Sequence, residues 1–209
     1  SLPSFEKRSV GPFVFWDHMG PVEITKTREM KVRAHPHIGL STITYLFSGQ
    51  ILHRDSLGNE LYIKPGEVNW MTAGNGISHS ERSFFIDQDF KLEGIQLWLG
   101  LPKEAEEVEP SFVHCNEQDL PQFRISDALV RLIAGQLGSQ QSPLPVYSPL
   151  FYSFATLASG GKLNHQLDGD TEAAIYISQG KLKVEGETYE RFQMLIFKKG
   201  SLVNAVGSE

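Results

Sequence analysis

The sequence predicts an all-β protein built from two antiparallel β-barrels, and three observations lead there. Nineteen Gly and eleven Pro are spread evenly over 209 residues and interrupt short runs rich in Val, Ile, Leu, Phe, Tyr and Thr, the pattern of many strands joined by tight turns. No long stretch carries helical periodicity. Two segments, Tyr45-Leu46-Phe47-Ser48-Gly49-Gln50-Ile51 and Tyr176-Ile177-Ser178-Gln179-Gly180-Lys181-Leu182, read alike as strand, Gly turn, strand. They imply an internal duplication in which each hairpin turns at its Gly.

The β-forming runs, bounded by Gly, Pro and polar turn residues, fall in the first half at Val22–Arg28, Ser41–Phe47, Gln50–Asp55, Leu61–Ile63, Val68–Met71 and Gly94–Leu99. Those of the second half are Arg131–Ala134, Phe151–Leu157, Gly161–Gln166, Ala173–Ser178, Gly180–Glu185 and Gln193–Lys198. Between the halves, Pro102 to about Pro121 carries Glu104, Glu106, Glu107 and Glu109 and reads as a solvated acidic linker, with one short helix around Glu117–Leu120. The expected organisation is therefore an N-terminal domain over 1–103, a linker over 104–121 and a C-terminal domain over 122–209.

Charge and cysteine usage narrow the function classes. Lys and Arg number 19 against 25 Asp and Glu, a formal net charge of -6, and no basic run is longer than Lys198-Lys199. Direct nucleic-acid binding by bulk electrostatics is not expected. Cys115 is alone, so no intrachain disulfide forms, and no apolar segment reads as a signal or membrane span. The expected location is the cytoplasm, or the nucleus in a eukaryote. The chain opens at Ser1 without an initiator Met and stops just after a strand-like run, so trimming at either end is an expectation.

Chemistry concentrates in His35-Pro36-His37 and His79-Ser80-Glu81, two pairs of metal-ligand residues spaced i, i+2. On a strand that spacing puts both side chains on one face, with Cβ atoms about 6.6 Å apart. Two imidazoles turned inward can then reach an ion at about 2.1 Å. Gly74 and Gly76 precede the second pair and permit a close approach. Three imidazoles and one carboxylate leave positions for water, dioxygen or substrate, and suit Fe(II), with Mn, Ni, Cu and Zn as alternatives. Continuing the parity of His35 and His37 points Gly39, Ser41, Ile43, Tyr45 and Phe47 inward and Thr42 and Thr44 outward. Ile43, Tyr45 and Phe47 would then line an aromatic slot. His18 and His53 receive no role, and Ser78 lacks the supporting acid and the strand–turn–helix setting of a nucleophile.

The stretch from His35 to Gly49, then His53-Arg-Asp-Ser-Leu-Gly-Asn59, then Lys64 to Glu81, closely resembles the pirin family of the cupin superfamily. Phe15-Trp-Asp-His-Met-Gly-Pro21, Gln96-Leu-Trp98 and Leu101-Pro102 fit the same family, as do Leu132-Ile-Ala-Gly135 and Tyr147-Ser-Pro149 in the second half. The resemblance implies a bicupin with a single iron in the N-terminal barrel, held by His35, His37, His79 and Glu81, and no metal in the C-terminal barrel, which carries only His165. It also marks departures: Ile38 and Ser41 stand where pirins carry a basic and an acidic residue, so Glu81 must supply the acid group. The chain ends short of a usual pirin by about one strand pair and a tail. The C-terminal barrel is therefore expected to be incomplete, with an open edge that favours pairing with another chain.

Two functions from different classes follow from the resemblance. One is an Fe(II)-dependent dioxygenase of the quercetin 2,3-dioxygenase type, with a flavonol on the metal and Glu81 as both ligand and acceptor of the 3-hydroxyl proton. The other is a non-enzymatic, redox-sensing co-regulator that binds a protein partner according to the oxidation state of its metal.

Overall fold

The runs of β-branched and aromatic residues do become strands. The computed structural model describes residues 2–85 and 87–208, and regular structure in it is antiparallel sheet apart from two single-turn 3-10 helices. The described chain divides into two units, residues 2–4 with Pro12–Asp119, and Phe5–Gly11 with residues 120–208. No described helix is long and apolar enough to cross a membrane.

The first unit holds β1 (Phe13–Ile24), β2 (Met30–His37), β3 (Leu40–Ser48), β4 (Ile51–Asp55), β5 (Glu60–Ile63), β6 (Val68–Thr72), β7 (Ile77–Ser83), β8 (Phe90–Gly100) and β9 (Ser111–Cys115). They form a five-stranded sheet in the order β1-β8-β3-β6-β9 and a four-stranded sheet in the order β2-β7-β4-β5. Gly49, at φ +79, sits between β3 and β4, which lie in different sheets. The expected hairpin is thus a corner between sheets, and a Cβ at Gly49 would stand 2.8 Å from the Lys91 carbonyl oxygen, closer than atoms pack.

Two expectations need correction here. Val22–Arg28 is not one strand: β1 ends at Ile24, and Thr25 and Arg28 exchange backbone hydrogen bonds of 2.9 and 3.1 Å. The Thr25 hydroxyl also accepts from the Arg28 N–H at 3.1 Å, so local side-chain bonding stabilises a turn over a longer strand. The stretch expected as linker is not all loop either. Ser111–Cys115 is β9, paired with β6 from Val68↔Cys115 to Thr72↔Ser111. Its Phe-Val core is a β-former run flanked by acidic residues, and the flanks masked it. A 3-10 turn at Glu117–Asp119 falls where the short helix was expected.

Among the described residues, two apolar clusters lie in the interior of this unit. One joins Ile24, Leu46, Ile51, Ile63 and Leu92, with Met30 packed against it. The other joins Met71, Ala73 and Ile77, with Leu40 and Phe112 against it. Leu40 and Leu46, at the two ends of β3, belong to different clusters, and Thr42 and Thr44 fall between them on the same face and are buried. A polar belt therefore crosses the interior between two greasy layers.

β7 shows the two-residue period most plainly: Ile77, His79, Glu81 and Ser83 are buried while the residues between them are not. Its neighbour β2 is bulged, since Val32 pairs with Glu81 but His35 pairs with His79. Three steps along β2 match two along β7, which places one extra residue in the Arg33–Ala34 tract.

In the second unit β11 (Ala128–Leu137) pairs with β10 (Gln122–Ile125), β12 (Gln140–Gln141) and β13 (Phe151–Thr156). β14 (Lys162–Gln166), β19 (Leu202–Ser208), β16 (Lys181–Val184) and β17 (Glu187–Glu190) form a second sheet, and β15 (Ala173–Tyr176) pairs with β18 (Met194–Phe197). Gly180, at φ +70, again joins strands of different sheets, β15 and β16, so the sequence repeat is a repeat of corners. Glu172 ties Phe5–Gly11 to this unit, accepting from Lys7 at 3.3 Å and from the Gly11 N–H at 2.9 Å.

Candidate metal centre

Strand period alone brings the predicted side chains together. His35 and His37 lie on β2, His79 and Glu81 on the adjacent β7, and His35 directly opposes His79. The three imidazole rings face one another with centroids 4.9 Å apart for His35–His37, 4.5 Å for His35–His79 and 5.1 Å for His37–His79. Their ligand nitrogens lie within 4.8 Å of one another. Two donors each about 2.1 Å from one ion stand at most about 4.2 Å apart, so small side-chain rotations bring the three to bonding distance.

The hydrogen bonds prepare those rings as ligands. His35 Nδ1 lies 2.8 Å from the Arg33 carbonyl oxygen, and a carbonyl only accepts, so Nδ1 carries a hydrogen and Nε2 is the nitrogen left to serve a metal. His79 Nδ1 is buried with no hydrogen-bond partner, an arrangement that costs stability unless another group satisfies it. Burial, followed by the neighbouring His35, His53 and His37, pushes the His79 imidazole down to about 3, while Asp55 pulls weakly the other way. His37 is likewise lowered, by burial first and by His35 second. Both rings are neutral near pH 7 and so available to a cation.

Glu81 sits one strand period beyond His79. Its Oε2 accepts from Gln96 Nε2 at 2.7 Å and its Oε1 from the Thr44 hydroxyl at 3.2 Å. Among the described residues it groups with His53 and His79, with all three ligand atoms within 4.8 Å, and not with His35 and His37. His79 is common to both groups.

The Glu81–Thr44 bond overturns the expected parity of β3. Thr44 points into the site, and with it Thr42 and Leu46, so Ile43, Tyr45 and Phe47 face the other way and do not line a slot beside the imidazoles. The reason is the turn at Gly39, φ +64, after which the chain passes from the four-stranded to the five-stranded sheet. Face alternation counted along one strand does not carry through such a corner. The aromatic neighbours of the cluster are instead Trp98, 5.1 Å from His37 and edge-on to it, and Phe112, stacked on His53 at 4.3 Å. Trp98 is stacked in turn on Phe15 at 4.3 Å.

Sequence reasoning left out His53, Thr44, Gln96, Trp98 and Phe112. A signal for the first was present: His53-Arg54-Asp55 has the same i, i+2 spacing as the two pairs singled out. On β4 it pairs with β7, His53 opposite Glu81 and Asp55 opposite His79. His165, on β14 of the second unit, has Phe151 5.9 Å away, ring to ring.

With this geometry in hand, comparison with known proteins is specific. Residues 2–99 match the Pirin family model. A Pirin-like protein of Caulobacter vibrioides is 45% identical over 207 residues, which is 97% of this chain and 71% of that protein. The chain belongs to the pirin family. Two crystal structures of quercetin 2,3-dioxygenase from Acinetobacter baumannii superpose on this pirin with TM-scores of 0.91 and 0.88, at 31% and 26% identity. They cover 100% and 99% of this chain, which in turn covers 69% and 75% of them. This pirin spans between 58% and 71% of the length of the first curated relatives it matches.

Proposed function

We propose that this pirin binds one divalent ion, Fe(II), through His35, His37, His79 and Glu81, and acts on a flavonol as a dioxygenase of the quercetin 2,3-dioxygenase type. The observation that carries the reading is the meeting of three imidazoles on neighbouring strands around His79, whose buried Nδ1 has no other partner. The donor chemistry fits such an ion: neutral nitrogens fixed by the strand period, with one carboxylate beside them. The activity named for the two Acinetobacter baumannii structures supports the choice of substrate.

When bound, the ion would supply a Lewis acid toward the ionised 3-oxygen of the flavonol. The remaining work belongs to the chain. Glu81 accepts the 3-hydroxyl proton on a carboxylate oxygen, each of which still has a free lone pair beside the bond it receives from Gln96 or Thr44. Those two donors hold the carboxylate in one orientation. Trp98 and Phe112, each with one face already stacked, on Phe15 and on His53, give the imidazoles an aromatic surround. The apolar clusters flank the belt, in which His37, His79 and Glu81 are buried while His35 stays partly exposed.

The test is anaerobic loading with Fe(II), then quercetin and dioxygen, with loss of the flavonol absorbance followed in time. One ion per chain and turnover well above that of free Fe(II) is expected. His79→Ala is expected to lose both, because His79 stands in each donor group. Flavonol consumption no faster than with free iron would refute the enzymatic reading.

A further inference from the structure

The row of side chains that holds Glu81 runs outward to the edge of a sheet. On the inner face of the five-stranded sheet, Asp17 of β1 opposes Gln96 of β8, which opposes Thr44 of β3, and in the next row Phe15 opposes Trp98, which opposes Thr42. Directly opposed residues of an antiparallel pair share a side, and the Phe15–Trp98 stack bears this out. Burial falls along both rows: Thr42 and Thr44 are buried, Gln96 and Trp98 half-buried, and Asp17 is exposed.

The four-stranded sheet repeats the gradient. Glu81 and His79 are buried on β7, whereas Val32 and His35, opposite them on β2, are exposed and half-buried. β1 and β2 are end strands of different sheets, joined through the Thr25–Arg28 turn. Near that turn Met19, Val22 and Ile24 of β1 and Met30 of β2 enter one apolar cluster and close the seam between the strands. Farther from it the inner faces carry Asp17 and Phe15 on one strand, Val32 and His35 on the other. Beyond β1, only the bridge Leu2↔Trp16 extends the sheet among the described residues.

Resting on the flavonol reading above, we propose that this seam admits the substrate and that Asp17 determines its specificity, accepting hydrogen bonds from hydroxyls on the distal ring. The substrate class narrows to flavonols with free hydroxyls on the B ring. Among the described residues Asp17 has no hydrogen-bond or ion-pair partner, so both carboxylate oxygens are available, and a catechol presents two O–H donors to them. The span also fits: neighbouring strands stand about 4.8 Å apart, which puts Asp17 about 10 Å outward from the strand of Thr44, whose hydroxyl bonds Glu81. A flavonol with its 3-hydroxyl at Glu81 can therefore extend its B ring to β1. Phe15, stacked on Trp98, carries the apolar lining out to the same strand. Because Gln96 stands between Asp17 and Glu81, Asp17 acts on binding and takes no part in the proton transfer.

The experiment compares wild type, Asp17→Ala and Asp17→Glu on quercetin and on galangin, the same flavonol without the two B-ring hydroxyls. Two readouts are taken on the full chain loaded with Fe(II): flavonol binding without oxygen, by quenching of tryptophan emission, and kcat and KM with oxygen. Wild type is expected to bind quercetin about 10-fold more tightly than galangin. Asp17→Ala should bring that ratio near one through a weaker Kd and a higher KM for quercetin, without a matching fall in kcat, and Asp17→Glu should restore part of it. The proposal is overturned if wild type does not discriminate, or if Asp17→Ala weakens both flavonols alike or neither. Flavonols bound but not consumed would sink the enzymatic reading alone, since the binding ratio and its loss in Asp17→Ala still decide the role of Asp17. A wild type that binds neither flavonol would overturn both.

Discussion

Gln96 provides a direct measure of how the site is held. Its amide donates to Glu81 Oε2 at 2.7 Å, the shorter of the two bonds to a carboxylate that is 5% exposed. Replacing Gln96 by Leu removes that donor and leaves the buried carboxylate with the 3.2 Å bond from Thr44. A hydrogen bond to a charged group contributes about 1.5–3 kcal/mol, and a buried acceptor left without a partner costs a similar amount. We therefore expect Gln96→Leu to lower the stability of the metal-free protein by about 2–3 kcal/mol. Glu81→Leu removes the same bond from the other side, and the double variant should cost less than the two single ones together by about 1.5 kcal/mol or more. The assay is urea unfolding in the presence of chelator, followed by tryptophan emission. All three tryptophans, Trp16, Trp70 and Trp98, lie in the first unit, so the signal reports the unit that contains the site. Additive effects of the two substitutions would refute the inference that Gln96 acts through Glu81.

Two other predictions follow from the same structure. In the metal-free protein His79 titrates near 3 when folded and near 6.5 when unfolded, so between these values the unfolded chain binds more protons and stability rises with pH. The rise reaches at most about 5 kcal/mol and is complete above the unfolded value; a His79→Gln variant with the same slope in denaturation at a series of pH values would exclude His79 as its source. Gly74→Ala places a Cβ 1.8 Å from the Val108 carbonyl oxygen, while Gly58→Ala, also at positive φ, meets nothing within 4 Å. Since the Gly74 carbonyl accepts from the Gly39 N–H at 2.8 Å, beside His37, the first variant should lose about 2 kcal/mol or more beyond the second. Equal melting temperatures for the two would show that the loop yields freely.

The donors were legible because a strand's period is two and needs nothing beyond the strand itself. His35 with His37, and His79 with Glu81, share faces for that reason alone. What surrounds them was not legible, because it depends on pairings distant in sequence. Thr44 reaches Glu81 only because the chain changes sheet at Gly39, and Phe112 reaches His53 only because β9 returns to β6 from a stretch whose acidic flanks read as linker. The repeat about Gly49 and Gly180 was visible as a motif, yet a strand–Gly–strand pattern reads the same for a hairpin and for a corner between two sheets. His53 carried the informative spacing, but beside an Asp that turned out to be its support.

The bulge in β2 resolves a conflict of phase. Met30 packs into the apolar cluster at one end of the interior, and His35 and His37 face His79, yet an even and an odd position cannot share a side of a straight strand. The extra residue in the Arg33–Ala34 tract shifts the alternation by one, so that the hydrophobic anchor and the imidazoles point the same way. That exposed dipeptide, whose side chains take no part in the site, thereby sets the aim of the whole centre. Adding one residue C-terminal to it, between the tract and His35, would leave Met30 seated while turning both imidazoles to solvent.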